Sequence, residues 1–404
     1  MPDPYRVVPD TDFLRRILNE GGGDLKKCFQ CATCSVVCEL SNGRSLFPRK
    51  EMIWAQWGLK DRLVADPDIW LCHQCDDCST RCPRGARPGD VMAAIRQESM
   101  LHHAVPRFLG RWVNQPKYLP LVLAIPTVLL GLVVLFRGDA IPSRKIIYSY
   151  WNRLPHWVLI SFFTFFSILA LLAVIAGVIR FWKAMKAADA RDGVNTPANS
   201  LRGSIVSVLK NVCLHDKFTM CTTERSRSLS HLCVFYGFIA LAVVPVWIVT
   251  ARINPLLQDF AYPFNFWNPW RMLANLGGVA VLTGCALMIR DRLRKSALGG
   301  RNTYSDWALI GTIVAVVLTG FMSEVTHYLR MEPHRQGIYF VHLVLVFALL
   351  MYLPYSKFAH LTYRTTAMVY AEYSGRNTPA QAAVAGAPGE GEGEDKDQAS
   401  ESNA

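Results

Sequence analysis

Eight of the chain's twelve cysteines lie in two short runs, CFQCATCSVVC at 28–38 and CHQCDDCSTRCP at 72–83, both spaced C-x2-C-x2-C-x3-C. Such clustering selects metal ligation over a disulfide framework. Three closely spaced thiolates suit three irons of a cubane [4Fe–4S] cluster, and a distant cysteine completes the set. In two-cluster ferredoxins that distant ligand comes from the other run. By that rule one cluster uses Cys28, Cys31, Cys34 and Cys82, and the other Cys72, Cys75, Cys78 and Cys38. Paired C-x2-C motifs also bind zinc, so a non-redox, zinc-binding membrane anchor stands as an alternative. Two full four-cysteine runs favour iron–sulfur and make the front of the chain an electron relay. Metal-holding thiolates need a reducing compartment, and the polar start MPDPYRVVPDTDFLRR is no export signal, so this part is expected in the cytosol.

The fold class expected is all-α. Residues 1–105 read as a small helical ferredoxin domain. Asp10 or Thr11 caps a helix carrying Phe13, Leu14, Ile17 and Leu18, and glycines 21–23 end it. Pro48 and Pro88 open two further helices. The cysteine runs then sit in loops between short helices.

Residues 106–375 read as a transmembrane haem b domain with six apolar stretches, about 119–136, 156–182, 231–250, 272–289, 307–323 and 338–356. Six crossings return the C-terminus to the cytosol, which makes this a multi-pass protein of the cytoplasmic membrane. The inside connections and the tail to Arg376 carry sixteen Lys and Arg, the outside connections eight. The formal charge of +12 is thus explained by topology, with no basic recognition helix for nucleic acid. Residues 376–404 are small, acidic and aperiodic, the composition of a disordered tail.

Histidines in or beside apolar helices are costly unless functional, and histidine is a common axial haem ligand. His342 and His360 bracket the last stretch, HLVLVFALLMYLPYSKFAH. One helix over that span puts both on one face near opposite membrane surfaces, where it can serve two stacked haems. His231 shares the cytosolic depth of His360, and the two form the expected axial pair. For His342, both His327 and His156 have suitable depth. His215, Asp216, Lys217 and Glu324 have the chemistry to bind a quinone head group or move its protons. His73, His102, His103 and His334 read as surface or interface residues. Cys213 and Cys221 carry no assignment, and Cys233 and Cys285 read as inert thiols.

The last helix and SLSHLCVFYGF resemble the haem b membrane subunit of respiratory nitrate reductase, and the front domain resembles the C subunit of heterodisulfide reductases. Joined in one chain, they look like the C subunit of the quinone-interacting membrane-bound oxidoreductase (Qmo) complex, over about residues 10–375. The resemblance implies electron exchange with menaquinone or menaquinol. It also implies cytosolic flavin and iron–sulfur partners of the QmoA and QmoB kind, and a link to adenylylsulfate reductase in sulfate reduction and anaerobic respiration. It places His231, His342 and His360 on haem-ligand positions, but puts Leu241 on the fourth, so one or two haems b are implied. The chain has no G-x-G-x-x-G fingerprint and no nucleophile with its base, so the substrate chemistry of the oxidoreductase belongs to other subunits. The nearer alternative is a heterodisulfide reductase-like complex serving a thiol–disulfide couple.

Overall fold

The computed structural model describes residues 8–41, 45–136, 156–194, 197–214, 225–254, 266–297, 299–331 and 333–376; the expectations for His215, Asp216, Lys217, Cys221 and the acidic tail beyond Arg376 lie outside them. The described residues form helices and loops without a β-sheet, as the sequence led us to expect.

The front unit is assembled from α1 (Thr11–Ile17), α2 (Thr33–Val36), α3 (Arg49–Gln56), α4 (Lys60–Val64), α5 (Asp68–Leu71), α6 (Asp77–Thr80) and α7 (Pro88–His103). Asp10 caps α1, its Oδ1 accepting from the Phe13 amide at 2.8 Å. Phe13, Ile17, Met52, Ile69, Trp70, Val91 and Ile95 close one core. Short α8 (Arg107–Val113) leads into the apolar bundle.

Six helices are long and apolar enough to cross a membrane: α9 (Leu119–Leu135), α10 (His156–Arg191), α12 (Arg225–Ile253), α13 (Pro269–Ala297), α14 (Tyr304–Tyr328) and α15 (His334–Met351). On α10, Phe165, Ile168, Leu171, Leu172 and Ile175 face outward, the arrangement a helix needs against lipid tails. Helices α12 and α13 approach most closely: a Cβ on Gly284 would stand 2.7 Å from the Ser230 carbonyl oxygen, so no larger residue fits there without moving a backbone. Helix α11 (Leu201–Leu214) packs beside α16 (His360–Tyr373).

Two features depart from expectation. The sixth stretch does not run on to His360: α15 ends at Met351, and turns at Leu353–Tyr355 and Lys357–Ala359, the first containing Pro354, lead into α16. Proline cannot supply the amide that a continuing helix needs. His342 and His360 therefore belong to different helices, and the single face expected for both does not exist. The second departure concerns where the ends of the bundle go. Helix α10 spans 36 residues, about 54 Å, far more than a bilayer core requires. Its final turns bury Phe181 and Met185 in the front unit's core, together with Tyr363, Ala367 and Tyr370 of α16. Residues 360–375, read with the membrane part, thus pack into the front unit, because α16 offers Tyr363, Ala367 and Tyr370 at helical spacing to that core.

Candidate cofactor sites

The two cysteine loops follow the same backbone path. Gln30 and Ala32 take positive φ values of 62° and 66° in one, and Gln74 and Asp76 take 57° and 66° in the other. These are unfavourable conformations for residues with a Cβ, retained where the surroundings demand them. Each loop then enters a one-turn helix, α2 or α6, that carries the third cysteine, Cys34 or Cys78. The left-handed kinks bend the chain around its cysteines. Hydrogen bonds aim at the sulfurs: the Gln74 amide to Cys72 Sγ and the Ala86 amide to Cys82 Sγ, both at 3.4 Å.

Cys38 of the first run stands with the cysteines of the second. A cavity of about 80 Å³ is lined by Cys72, Cys75 and Cys78 of the second run and Cys38 of the first, together with Leu40 and Met92. Burial, with the charges of Cys72, Cys38 and Cys75 behind it, pushes the Cys78 thiol well above its ordinary range. Burial likewise pushes Cys38 up to about 11, and the Cys72 charge adds to it. In the other set, Cys28 is raised by burial and then by the charges of Cys82 and Cys31, while burial and Cys28 take Cys34 up to about 11. Thiolates crowded in this way need a positive core between them. A single zinc with Zn–S bonds of about 2.3 Å would draw its sulfurs to about 3.8 Å apart. Among the described residues no three of these sulfurs lie within 4.8 Å of one another, wider than that zinc arrangement on the whole.

The second loop is clasped to the bundle. Arg364 of α16 donates to the Cys72 carbonyl at 3.1 Å and to His73 Nδ1 at 3.3 Å. Arg96 of α7 reaches the Cys72 carbonyl at 3.5 Å and also the Gln74 side chain. Arg227 of α12 donates to the Gln74 carbonyl. Arg227 lies one turn before His231, and Arg364 one turn after His360. Further ties are Lys295 to Asp76 at 2.9 Å and Gln97 to Ser305 at 2.9 Å. His73 is therefore an interface residue, and so is His103, buried with its Nε2 on the Val64 carbonyl at 2.9 Å and its ring against Phe181. His334 is exposed.

The hydrogen bonds of the histidines decide which ring nitrogen is available. The Lys357 carbonyl lies 2.7 Å from His360 Nδ1 and can only accept, so Nδ1 carries the proton and Nε2 keeps its lone pair. His360 is exposed. His342 Nδ1 lies 3.1 Å from Thr319 Oγ1, and that hydroxyl also lies 2.7 Å from the Ala315 carbonyl. With its one proton on Ala315, Thr319 accepts from Nδ1–H and again leaves Nε2 open. His327 is arranged the other way: the Arg335 guanidinium, 3.4 Å away, can only donate to Nδ1, which puts the proton of the neutral ring on Nε2. His327 is thus the poorer partner for His342. His156 begins α10 one turn before Leu159, which belongs to the same buried cluster as Leu343.

His231 and His360 lie at the front-unit end of the bundle; Phe238 of α12 meets Phe358, two residues before His360, at 5.3 Å. Leu241 packs against the apolar cluster that includes Val281 and Ile313. Glu324 is held by Arg271 at 2.9 Å and Asn275 at 3.3 Å, an ion pair near the far end of α14. Cys285 is fully buried and Cys233 half-buried. Sequence reasoning missed the clasp of Arg96, Arg227 and Arg364, because no spacing marks residues that meet only across helices.

Taken together, an iron–sulfur dicluster unit joined to a six-helix apolar bundle defines a multi-pass membrane protein of electron-transfer type. Residues 24–86 match the 4Fe-4S dicluster domain, and residues 117–382 match the family of citrate utilization protein B. The chain belongs to the citrate utilization protein B family, since that match covers well over half of it. Citrate utilization protein B of Escherichia coli is 27% identical over 312 residues, 74% of this chain and 80% of that protein. The front unit is similar to the C subunit of the H(2):CoB-CoM heterodisulfide,ferredoxin reductase of Methanothermobacter marburgensis, 37% identical over 90 residues, 22% of this chain and 49% of the relative. An Archaeoglobus profundus protein that is itself like the C subunit of heterodisulfide reductase is 35% identical over 91 residues, 22% of this chain and 48% of that one. The chain thus spans about half the length of the heterodisulfide reductase relatives it matches.

Proposed function

We propose that this chain is the membrane subunit of a redox complex and carries single electrons between a soluble cytosolic partner and menaquinone or menaquinol in the bilayer. The observation that carries the reading is the cavity that takes Cys72, Cys75 and Cys78 from one run and Cys38 from the other. Residues 1–105, with 360–375 packed into them, form the ferredoxin unit, and the six apolar helices the haem b unit, both ends of the chain lying on the cytosolic side.

Two [4Fe–4S] clusters and one or two haems b, bound at these residues, would supply one-electron relays, with bis-histidine ligation closing the haem to oxygen chemistry. The protein's own contribution is positional. Cys28, Cys31, Cys34 and Cys82 would hold one cluster, and Cys72, Cys75, Cys78 and Cys38 the other. Arg96, Arg227 and Arg364 fix the second loop against α12 and α16, where His231 and His360 would hold the cytosolic-side haem. The Lys357 carbonyl orients His360, and Thr319 orients His342, which would hold a second haem. The soluble partners are flavin and iron–sulfur subunits of the QmoA and QmoB kind, with adenylylsulfate reductase behind them.

A second reading rests on the two similarities. The front unit's likeness to subunits of heterodisulfide reductases favours a partner that serves a thiol–disulfide couple, and the citrate utilization family favours a soluble donor from a citrate-consuming system.

The test is reduced-minus-oxidised optical spectroscopy and electron paramagnetic resonance (EPR) on the purified chain, with iron and haem quantified and a menaquinol analogue added. About eight non-haem irons per chain and haem b reduced by the quinol support the conduit. A colourless, zinc-loaded protein overturns it.

A further inference from the structure

The two cysteine sets differ in what surrounds them. The loop of Cys72 is covered by the arginines of three helices and faces the bundle. The loop of Cys31 faces solvent. Cys31 itself is exposed, and around it stand Phe29, 67% exposed, and Val36, 84% exposed. An exposed apolar patch rimmed by polar residues marks an interaction site. The rim is cationic. Arg84 stacks on the Phe29 ring at 4.1 Å, Lys26 and Arg81 are exposed nearby in sequence to Cys28 and Cys82, and the Arg49 charge acts on both Cys28 and Cys31. Lys27 is neutralised by Asp24 at 2.7 Å, but Lys26, Arg81 and Arg84 have no carboxylate partner among the described residues.

We infer that this face, Phe29, Cys31 and Val36 within the collar of Lys26, Arg81 and Arg84, is the docking site for a soluble redox protein that presents an acidic patch around its own cofactor. The inference rests on the electron-conduit reading and adds the side of entry. A wire whose one end is clasped to membrane helices must meet its soluble partner at the other end, and that end is where the apolar centre and unpaired cations coincide. The apolar pair supplies contact area, and the cations steer an acidic surface and fix its approach. Attraction between exposed charges weakens as salt shortens its range to about 10 Å at 0.1 M.

The experiment uses the full-length, cluster-loaded protein in nanodiscs of uncharged lipid, with an acidic flavodoxin as the probe and the basic protein cytochrome c as control. Binding to flavodoxin, with none to cytochrome c, is expected at low salt, weakening tenfold or more as salt is raised. The triple substitution Lys26→Glu, Arg81→Glu, Arg84→Glu is expected to abolish it while both cluster EPR signals persist. Phe29→Ala alone should weaken it severalfold. Flavodoxin binding that ignores both salt and charge reversal, or its absence from the native protein, overturns the docking site. Binding that emerges only after residues 377–404 are removed, with their six acidic side chains, gives the face to the chain's own tail and also overturns it. Loss of both EPR signals from the native protein overturns the conduit reading instead, and is read separately from binding.

Discussion

Arg364 donates from Nη1 to the Cys72 carbonyl oxygen at 3.1 Å, tying a cysteine-ligand loop to the helix that begins with His360. Its Nη2 adds His73 at 3.3 Å, so one guanidinium fixes two consecutive residues of the loop. A positive charge here favours the reduced, more negative state of whatever the loop holds. Arg364→Gln is expected to lower the midpoint potential of the cluster on Cys38, Cys72, Cys75 and Cys78 by about 60 mV, the tenfold equivalent for one electron. The cluster on Cys28, Cys31, Cys34 and Cys82 should keep its potential, as an EPR-monitored titration would read.

An exchange of fourth cysteines between the runs is separable by substitution. Cys38→Ser should delete the signal of the set lining the cavity and spare the other, and Cys82→Ser should do the reverse. Iron should fall by about half in each. Loss of the same signal from Cys38→Ser and Cys34→Ser would mean that each run keeps its own fourth ligand.

Histidine tautomers give a third contrast. His360→Ala removes an Nε2 held open by the Lys357 carbonyl and should delete the cytosolic-side haem, while His342→Ala should delete the far one. His327→Ala should leave the haem content unchanged, since Arg335 occupies its Nδ1. Haem per chain, measured as the pyridine haemochrome, decides.

The joint between the two units should weaken with acid. Burial lowers His103 to about 4, with the charges of Arg180 and Arg107 adding to the effect and the Val64 carbonyl opposing it. The ring is neutral when folded and titrates near 6.5 when unfolded, so the unfolded chain binds more protons between those values. Stability from this group is complete above pH 6.5 and lost as the pH falls toward 4, a change of roughly 3 kcal/mol. Thermal melts of the full chain should show this loss, and His103→Gln should reduce it, with His102, which burial also lowers, supplying part of the remainder.

Much of the plan was legible in the sequence because its signals are local. Cysteine spacing marks both ligand loops whatever surrounds them, and six apolar runs show as helices at any packing. Asp10, Pro48 and Pro88 act on the turn beside them, and each stands at the start of a helix. Other signals were present but misread. Pro354 marks the break before His360, yet the apolar run around it suggested one helix through both histidines.

The sequence by itself determined which residue types can hold metal, how many times the chain can cross a bilayer, and that the front unit is helical. These follow from covalent spacing and from apolar length, which no contact can alter. Tertiary structure alone decided that α10 and α16 build the front unit's core, that Arg96, Arg227 and Arg364 converge on one loop, and which nitrogen of His360, His342 and His327 is open. The core depends on apolar side chains from separate helices meeting, and the ring nitrogens and the arginines on hydrogen-bond distances, where a shift of about 1 Å changes the partner.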